Sequence, residues 1–373
     1  MSEHHAAPLA PARHARILAA LAENGTVRSS ELIDDLGVTP VTLRRDLAQL
    51  EQEGRLRRVH GGAVPPEGGM PADALRLGDD GEAALGTLAV LVPSMDFYWP
   101  SIVRGIEREA ARHGMAVKVR AASYETQDER PILERIVRND DAAGLIVAFN
   151  TGTEHSADVV EWLQRSPVPS VLAEREASYP PDGPPVESVV TDHALGGILA
   201  AQHLACLGHE KVGLVVARQS PTSRKIAAGW YTACRDLGLT PAQHFETLLP
   251  PRNSAEFSAA VDATLDKALG LGMTALLVHS DPEAMAFVDL ALNRGLTVPG
   301  DLSIMSYDDE VAERFTPALT SVRPPREAVG AAAVDLLMRR IAEPDRVVHR
   351  VSLNPVVKVR ATTAAPASGK ATA

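Results

Sequence analysis

The sequence predicts an α/β protein with parallel sheets, preceded by a small N-terminal winged helix-turn-helix domain. Three observations lead there. From residue 86 onward, short apolar runs alternate with amphipathic helical stretches, the pattern of strands buried on both faces by helices. Before them, a helix, a second helix, a glycine turn, an arginine-bearing helix and a basic hairpin follow one another. The chain has 373 residues, so one small domain leaves about 290, enough for two further lobes with their own cores.

The N-terminal elements read in order. Ile17, Leu18 and Leu21 recur at helical spacing, and Thr26-Val27 is a short extended piece. Ser29 or Ser30 can cap a second helix that buries Leu32, Ile33 and Leu36. After Gly37-Val38, Thr39 can cap a third helix with Pro40 at its first position, where the missing N–H costs nothing. Leu43, Leu47 and Leu50 share one face of it. Val41, Thr42, Arg45 and Gln49 point the other way, with Arg44 flanking. Gly54 ends the helix. Residues 55–59 form a basic strand, Gly61-Gly62 a tight turn, and Ala63-Val64 a return strand. Such a helix and hairpin suit a major groove and its phosphate walls; an ordinary solvated surface helix is the alternative.

The stretch ELIDDLGVTPVTLRRDLAQLEQEGRLRRVHGGAV resembles the DNA-binding domain of DeoR-type bacterial regulators. The resemblance implies that Thr39, Val41, Thr42, Arg44 and Arg45 lie at the groove, with Arg58 and His60 in the wing; Gln49 shares the outer helix face. The domain spans residues 11–66.

Charge confines any DNA contact to that domain. The net charge is −11, while in residues 1–66 eight arginines balance eight acidic residues. All the excess negative charge lies beyond, where it repels phosphates. Residues 67–85, rich in proline, glycine and acids, read as a linker, and residues 362–373 as a disordered tail. No apolar run reaches the roughly 18 residues that cross a membrane, and the first residues lack the apolar core of a signal peptide, so a cytoplasmic location is expected. Two cysteines, Cys206 and Cys234, are too few for a disulfide framework and read as buried, inert thiols.

Strands are expected at LAVLVPS, AVKVRAAS, GLIVAFN and VPSVLAE in a first run, and at VVTD, KVGLVVA, ALLVHS and LSIMSYD in a second. Helices are expected near residues 101–113, 129–138, 194–207, 224–237, 255–269 and 283–294. Ligands in such folds bind beyond the carboxyl ends of the strands. Those ends carry no GxGxxG, P-loop, HExxH, zinc-spaced cysteine-histidine cluster or GxSxG elbow. No cofactor and no enzymatic activity are expected.

The runs HLACLGHEKVGLVV, ALLVHSDPEAMAFVDLALNRGLTVPGDLSIMSYDDE and ALTSVRPPREAVG resemble the effector domain of LacI-type repressors, itself similar to type I periplasmic sugar-binding proteins. The resemblance covers residues 86–361. It implies two lobes joined by three crossovers, with lobe 1 at about 86–189 and 325–346 and lobe 2 at about 190–324 and 347–361. It places a small molecule in the cleft, contacted by Asp96, Tyr98, Trp99, Glu174, Arg175, Asp192, Ser280 and Asp308. Tyr98 and Trp99 would stack on a sugar face and the carboxylates would accept its hydroxyls. For the acids the alternative is helix capping or a solvated strand end, and for the two aromatics lobe packing. Three positions depart from the sugar-binding pattern: Ile226 replaces an arginine, Ser280 an asparagine and Pro324 a glutamine. Arg224 lies two residues from the first, about 160° round the helix at ~100° per residue. The LacI-type DNA-binding domain and hinge helix are absent.

Together the two resemblances imply a homodimeric, sequence-specific transcriptional repressor of a carbohydrate-catabolism operon. Its partners would be double-stranded operator DNA and a sugar-like effector, with no membrane contact. The alternatives are a small-molecule sensor or carrier whose N-terminal domain contacts protein, and an enzyme acting on a sugar derivative.

Overall fold

The computed structural model describes residues 13–14, 16–18, 20–21, 27–36, 38–52, 56–59, 62–64, 85–95, 97–123, 128–139, 141–180, 183–218, 220–240 and 242–367. Internal contacts divide the chain into two units, Met1–Ala83 and Ala84–Ala373.

In the first unit, strand β1 (Val27–Arg28) leads into α1 (Ser29–Leu36) and α2 (Pro40–Gln52), then β2 (Arg57–Val59) and β3 (Gly62–Val64). The three strands form an antiparallel sheet in the order β1-β3-β2, with Val27 opposite Ala63 and Arg58 opposite Ala63 on the other side. The Thr39 side chain accepts the Thr42 N–H at 3.3 Å, and its carbonyl starts the α2 ladder at Leu43. Leu43, Leu47 and Leu50 bury their shared face against Ile17, Leu18, Leu32 and Leu36. Each such leucine contributes about 1.5–3 kcal/mol. The expected helix end at Gly54 and the turn at Gly61 lie outside the described residues.

The second unit holds two six-stranded sheets. In the first lobe β4 (Gly86–Val92), β5 (Met115–Ala121), β6 (Ala142–Val147), β7 (Ser170–Ala173), β8 (Ser188–Thr191) and β14 (Arg350–Leu353) run parallel in the order β14-β8-β7-β6-β4-β5. Helices α3 (Tyr98–Arg112), α4 (Arg130–Asn139), α5 (Ser156–Arg165) and α10 (Arg326–Ala342) cover them. The backbones of α3 and α10 touch: a Cβ at Gly105 would sit 2.1 Å from the Glu327 carbonyl oxygen. In the second lobe β9 (Val212–Ala217), β10 (His244–Leu249), β11 (Ala275–Val278), β12 (Ser303–Tyr307), β13 (Thr320–Arg323) and β15 (Val356–Lys358) are ordered β10-β9-β11-β12-β13-β15. Only β15 is antiparallel to its neighbour. Helices α6 (His193–Cys206), α7 (Ser223–Asp236), α8 (Phe257–Gly270) and α9 (Asp281–Asn293) pack on it.

The chain passes between the lobes after β8, after β13 and between β14 and β15. Several expectations need correction. VVTD belongs to the first sheet, because β8 pairs in parallel register with β7 and β14. Residues 350–353 also join the first lobe, with Arg350 opposite Ser188. The start of the expected tail is tied down: the Thr362 carbonyl accepts from Ile304, and His209 Nε2 lies 2.9 Å from the Ala364 carbonyl. Cys206 is exposed, not buried, while Cys234 is buried as expected.

Candidate functional site

On α2 the periodicity that buries the leucines leaves Thr39, Val41, Arg44, Arg45 and Gln49 exposed, with Thr42 half-buried beside them. Val41 is 73% exposed on this face. Arg44 and Arg45 have no ion-pair partner among the described residues. Arg58 differs: its Nε donates to Glu51 Oε2 at 2.6 Å and its backbone N–H to Glu51 Oε1, so it clamps the wing strand onto α2. These bonds from Arg58 hold the Glu51 carboxyl below its usual range. His60 lies outside the described residues. Sequence reasoning missed Asp46. It lies on α2 itself, buried, and receives Arg13 at 2.7 and 2.9 Å and His14 at 3.2 Å. Burial pushes Asp46 up, and the bonds from Arg13 and His14 bring it below the normal value.

In the second unit an interlobe cavity of about 390 Å³ is lined by the loop after β4, the start of α3, the start of α9 and the loop after β12. Ser94, Phe97 and Tyr98 face Ser280, Glu283, Asp308 and Glu310 across it. Phe97 is 61% exposed at φ 50°. Trp99 is 1% exposed within the first-lobe core, with the Arg175 guanidinium 5.4 Å from its ring centre. This corrects the stacking expected of Trp99. The helix that starts at Tyr98 turns Trp99 inward, and Phe97 and Tyr98 are the aromatics at the cleft. Asp96 lies outside the described residues.

Behind the cavity runs a buried polar chain drawn from both lobes. Glu174 accepts from Tyr98 Oη at 2.8 Å and from Thr191 Oγ1 and N at 2.7 and 3.1 Å, and His193 Nε2 lies at 3.5 Å. Burial pushes the Glu174 carboxyl up, but His193 and Thr191 outweigh it and hold the group at about 2. His193 Nδ1 lies 3.0 Å from Tyr307 Oη, and the His279 ring stands edge-on to Tyr307. His279 Nε2 is 3.6 Å from Asp308 Oδ2. Burial lowers His279, and Asp308 more than restores it, so its net shift is upward; Asp308 is held below its usual value by the same contact. Arg326 donates to the Asp308 carbonyl, lies 2.9 Å from Glu310 and stands 5.5 Å from the Tyr98 ring centre, closing the chain.

The structure therefore brings Tyr98, Ser280 and Asp308 to the cavity and sets Trp99, Glu174, Arg175 and Asp192 apart. Glu174 is saturated by protein donors. Arg175 is buried, with Nε on the Phe149 carbonyl at 2.9 Å. Asp192 caps α6 by accepting the Leu195 N–H at 2.8 Å, the helix-capping alternative. Ser280 donates from N and Oγ to Glu283 at 3.1 and 2.6 Å. Ile226 is fully buried in the second-lobe core. Asp281, unremarked in the sequence, is fully buried and accepts backbone N–H bonds from Asp309, Glu310, Val311 and Ala312, which fastens the loop that carries Asp308. A polar residue opening a helix after an apolar strand was the available signal.

Residues 13–67 match the DeoR-like helix-turn-helix domain and residues 201–363 the periplasmic binding protein-like domain. The HTH-type transcriptional repressor PurR of Aliivibrio fischeri (strain MJ11) is 25% identical over 279 residues, covering 74% of this chain and 80% of the relative. The ribose operon repressor of Escherichia coli K12 is 25% identical over 280 residues, covering 74% and 81%. A LacI family transcriptional regulator from Enterococcus faecium, crystallised with bound ribose, superposes with a TM-score of 0.61 at 25% identity, covering 75% of this chain and 99% of that one. A dimeric Lac repressor shares the fold at a TM-score of 0.60. Fold and site thus define a transcription regulator in two parts. In particular, the chain joins a DeoR-like helix-turn-helix domain to a periplasmic binding protein-like effector domain similar to that of LacI-family repressors.

Proposed function

We propose that the chain is a cytoplasmic, homodimeric repressor of a carbohydrate-catabolism operon, controlled by a small effector in the interlobe cleft. The observation that carries the DNA half is the outer face of α2, where Val41, Arg44 and Arg45 stand exposed beside the wing strand. The effector half is supported by the cavity between Phe97-Tyr98 and Ser280-Asp308. The ribose and purine repressors among its relatives support a polyhydroxylated or heterocyclic effector. One winged domain reads a half-site, so two copies are needed on a palindromic operator, as the dimeric Lac repressor supports. An effector that prefers one closure of the lobes shifts the population of DNA-competent dimers by its differential affinity. The test is a gel shift on the DNA upstream of the chain's own gene, with and without candidate effectors. Retarded DNA that effector releases supports the reading. Absence of any sequence-specific retardation favours a sensor whose N-terminal domain contacts protein.

A further inference from the structure

Resting on the effector reading above, we propose that the cleft is built for a polyhydroxylated amine, such as an amino sugar, in preference to a neutral or acidic sugar. The argument is one of charge and unused acceptors. Among the described residues four carboxylates line the cavity, Asp281, Glu283, Asp308 and Glu310, against one arginine, Arg252. Asp281 is consumed by backbone N–H groups. Each of the other three meets a neighbouring side chain through one oxygen, Glu283 by hydrogen bonds and Asp308 and Glu310 by ion-pair contact. Glu283 Oε2 takes Ser280, Asp308 Oδ2 faces His279 and Glu310 Oε1 faces Arg326. Glu283 Oε1, Asp308 Oδ1 and Glu310 Oε2 have no hydrogen bond among the described residues. These are carboxylate acceptors on the cavity lining, and an ammonium group brings three donors and the opposite charge.

His279 and Arg326 offset part of the negative charge, but not all of it. Burial pushes Glu310 above the usual carboxylate range; Arg326 opposes this, and the charges of Asp308 and Asp281 add to it. Asp281 is likewise raised, by burial first and by Asp308 in addition, despite its backbone bonds. The lining therefore carries carboxylate repulsion that a cationic ligand relieves. Phe97 adds an exposed aromatic face on the same cavity, to which an ammonium is attracted and an anion is not. Hydroxyls on the same ligand use the acceptors that the amine leaves.

Calorimetric titration of the full-length protein, in an amine-free buffer at pH 7, tests this with matched triplets. Glucosamine, galactosamine and mannosamine are compared with their parent hexoses and uronic acids. At least one amine should bind tenfold or more tightly than its parent, with the uronic acid weakest. Asp308→Asn with Glu310→Gln should bring that ratio to about twofold or less. Should the double variant fail to fold, Glu283→Gln alone should still narrow it. A parent hexose or uronic acid that binds better than its amine overturns the charge assignment and leaves the effector reading standing. No binding by any of the nine sugars overturns the amino-sugar assignment, while the effector reading falls only if operator affinity is also unmoved by heterocyclic effectors in the gel shift.

Discussion

At the scale of single residues, neighbouring aromatics have opposite duties. Trp99 is sealed in the first-lobe core, so Trp99→Ala should cost about 3–5 kcal/mol of stability in chemical denaturation, a cavity effect. Phe97→Ala should leave the unfolding free energy within about 0.5 kcal/mol, the usual range for a surface change, while weakening effector binding measured by titration. The reverse pattern would return the stacking role to Trp99. Ile226→Arg, which would restore the arginine of the sugar-binding pattern, puts a charge into the second-lobe core and should unfold that lobe. Glu174 sets an acid limit. Its carboxyl is held at about 2 in the folded state, against about 4.3 unfolded. A depressed carboxylate stabilises above the unfolded value, and that contribution is lost as pH falls through the interval. Melting temperatures recorded from pH 5 to pH 2.5 should fall more steeply for the parent than for Glu174→Gln; parallel slopes would remove Glu174 from the acid response.

At the scale of elements, α2 is where sequence and structure coincide most fully. Its cap at Thr39, its leucine face and its arginine face all follow from spacing on one helix, which is local information. Replacing Arg44 and Arg45 with alanine should abolish operator retardation and leave the circular dichroism spectrum unchanged, because neither side chain supports the core. Partial variants should flatten the log–log salt dependence by roughly one unit for each phosphate no longer neutralised. Operator affinity indifferent to both changes would move the DNA-binding face elsewhere. Strand β14 was illegible for the opposite reason. Its pairing with β8 joins residues more than 150 positions apart, and no local pattern carries that. The cleft was half legible: Asp308 and Tyr98 stood at strand ends and helix starts, while Glu174 and Asp192 found protein donors that only the folded neighbourhood supplies.

At the scale of the molecule, the two units each hold a separate hydrophobic core. Deleting residues 1–66 should therefore leave a soluble fragment that binds effector with unchanged affinity but no longer retards DNA. Size-exclusion chromatography should find it dimeric. An insoluble fragment, or one that loses effector binding, would place part of the effector domain's support before residue 67. The two-lobed plan was readable because alternating apolar strands and helices recur through most of the chain, whereas the lobe boundaries were not, since the chain crosses between the sheets three times.

Those crossings also order events in time as the protein is made. The described strands of the first unit end at Val64, whereas the first-lobe sheet lacks its edge strand until Arg350–Leu353 has been synthesised. At about 5–20 residues per second, ~290 further residues take roughly 15–60 s. During that interval a ribosome carries a nascent chain able to form α2, the helix proposed to read a half-site, while neither lobe is complete, so on the proposed function the reading element precedes the one that controls it.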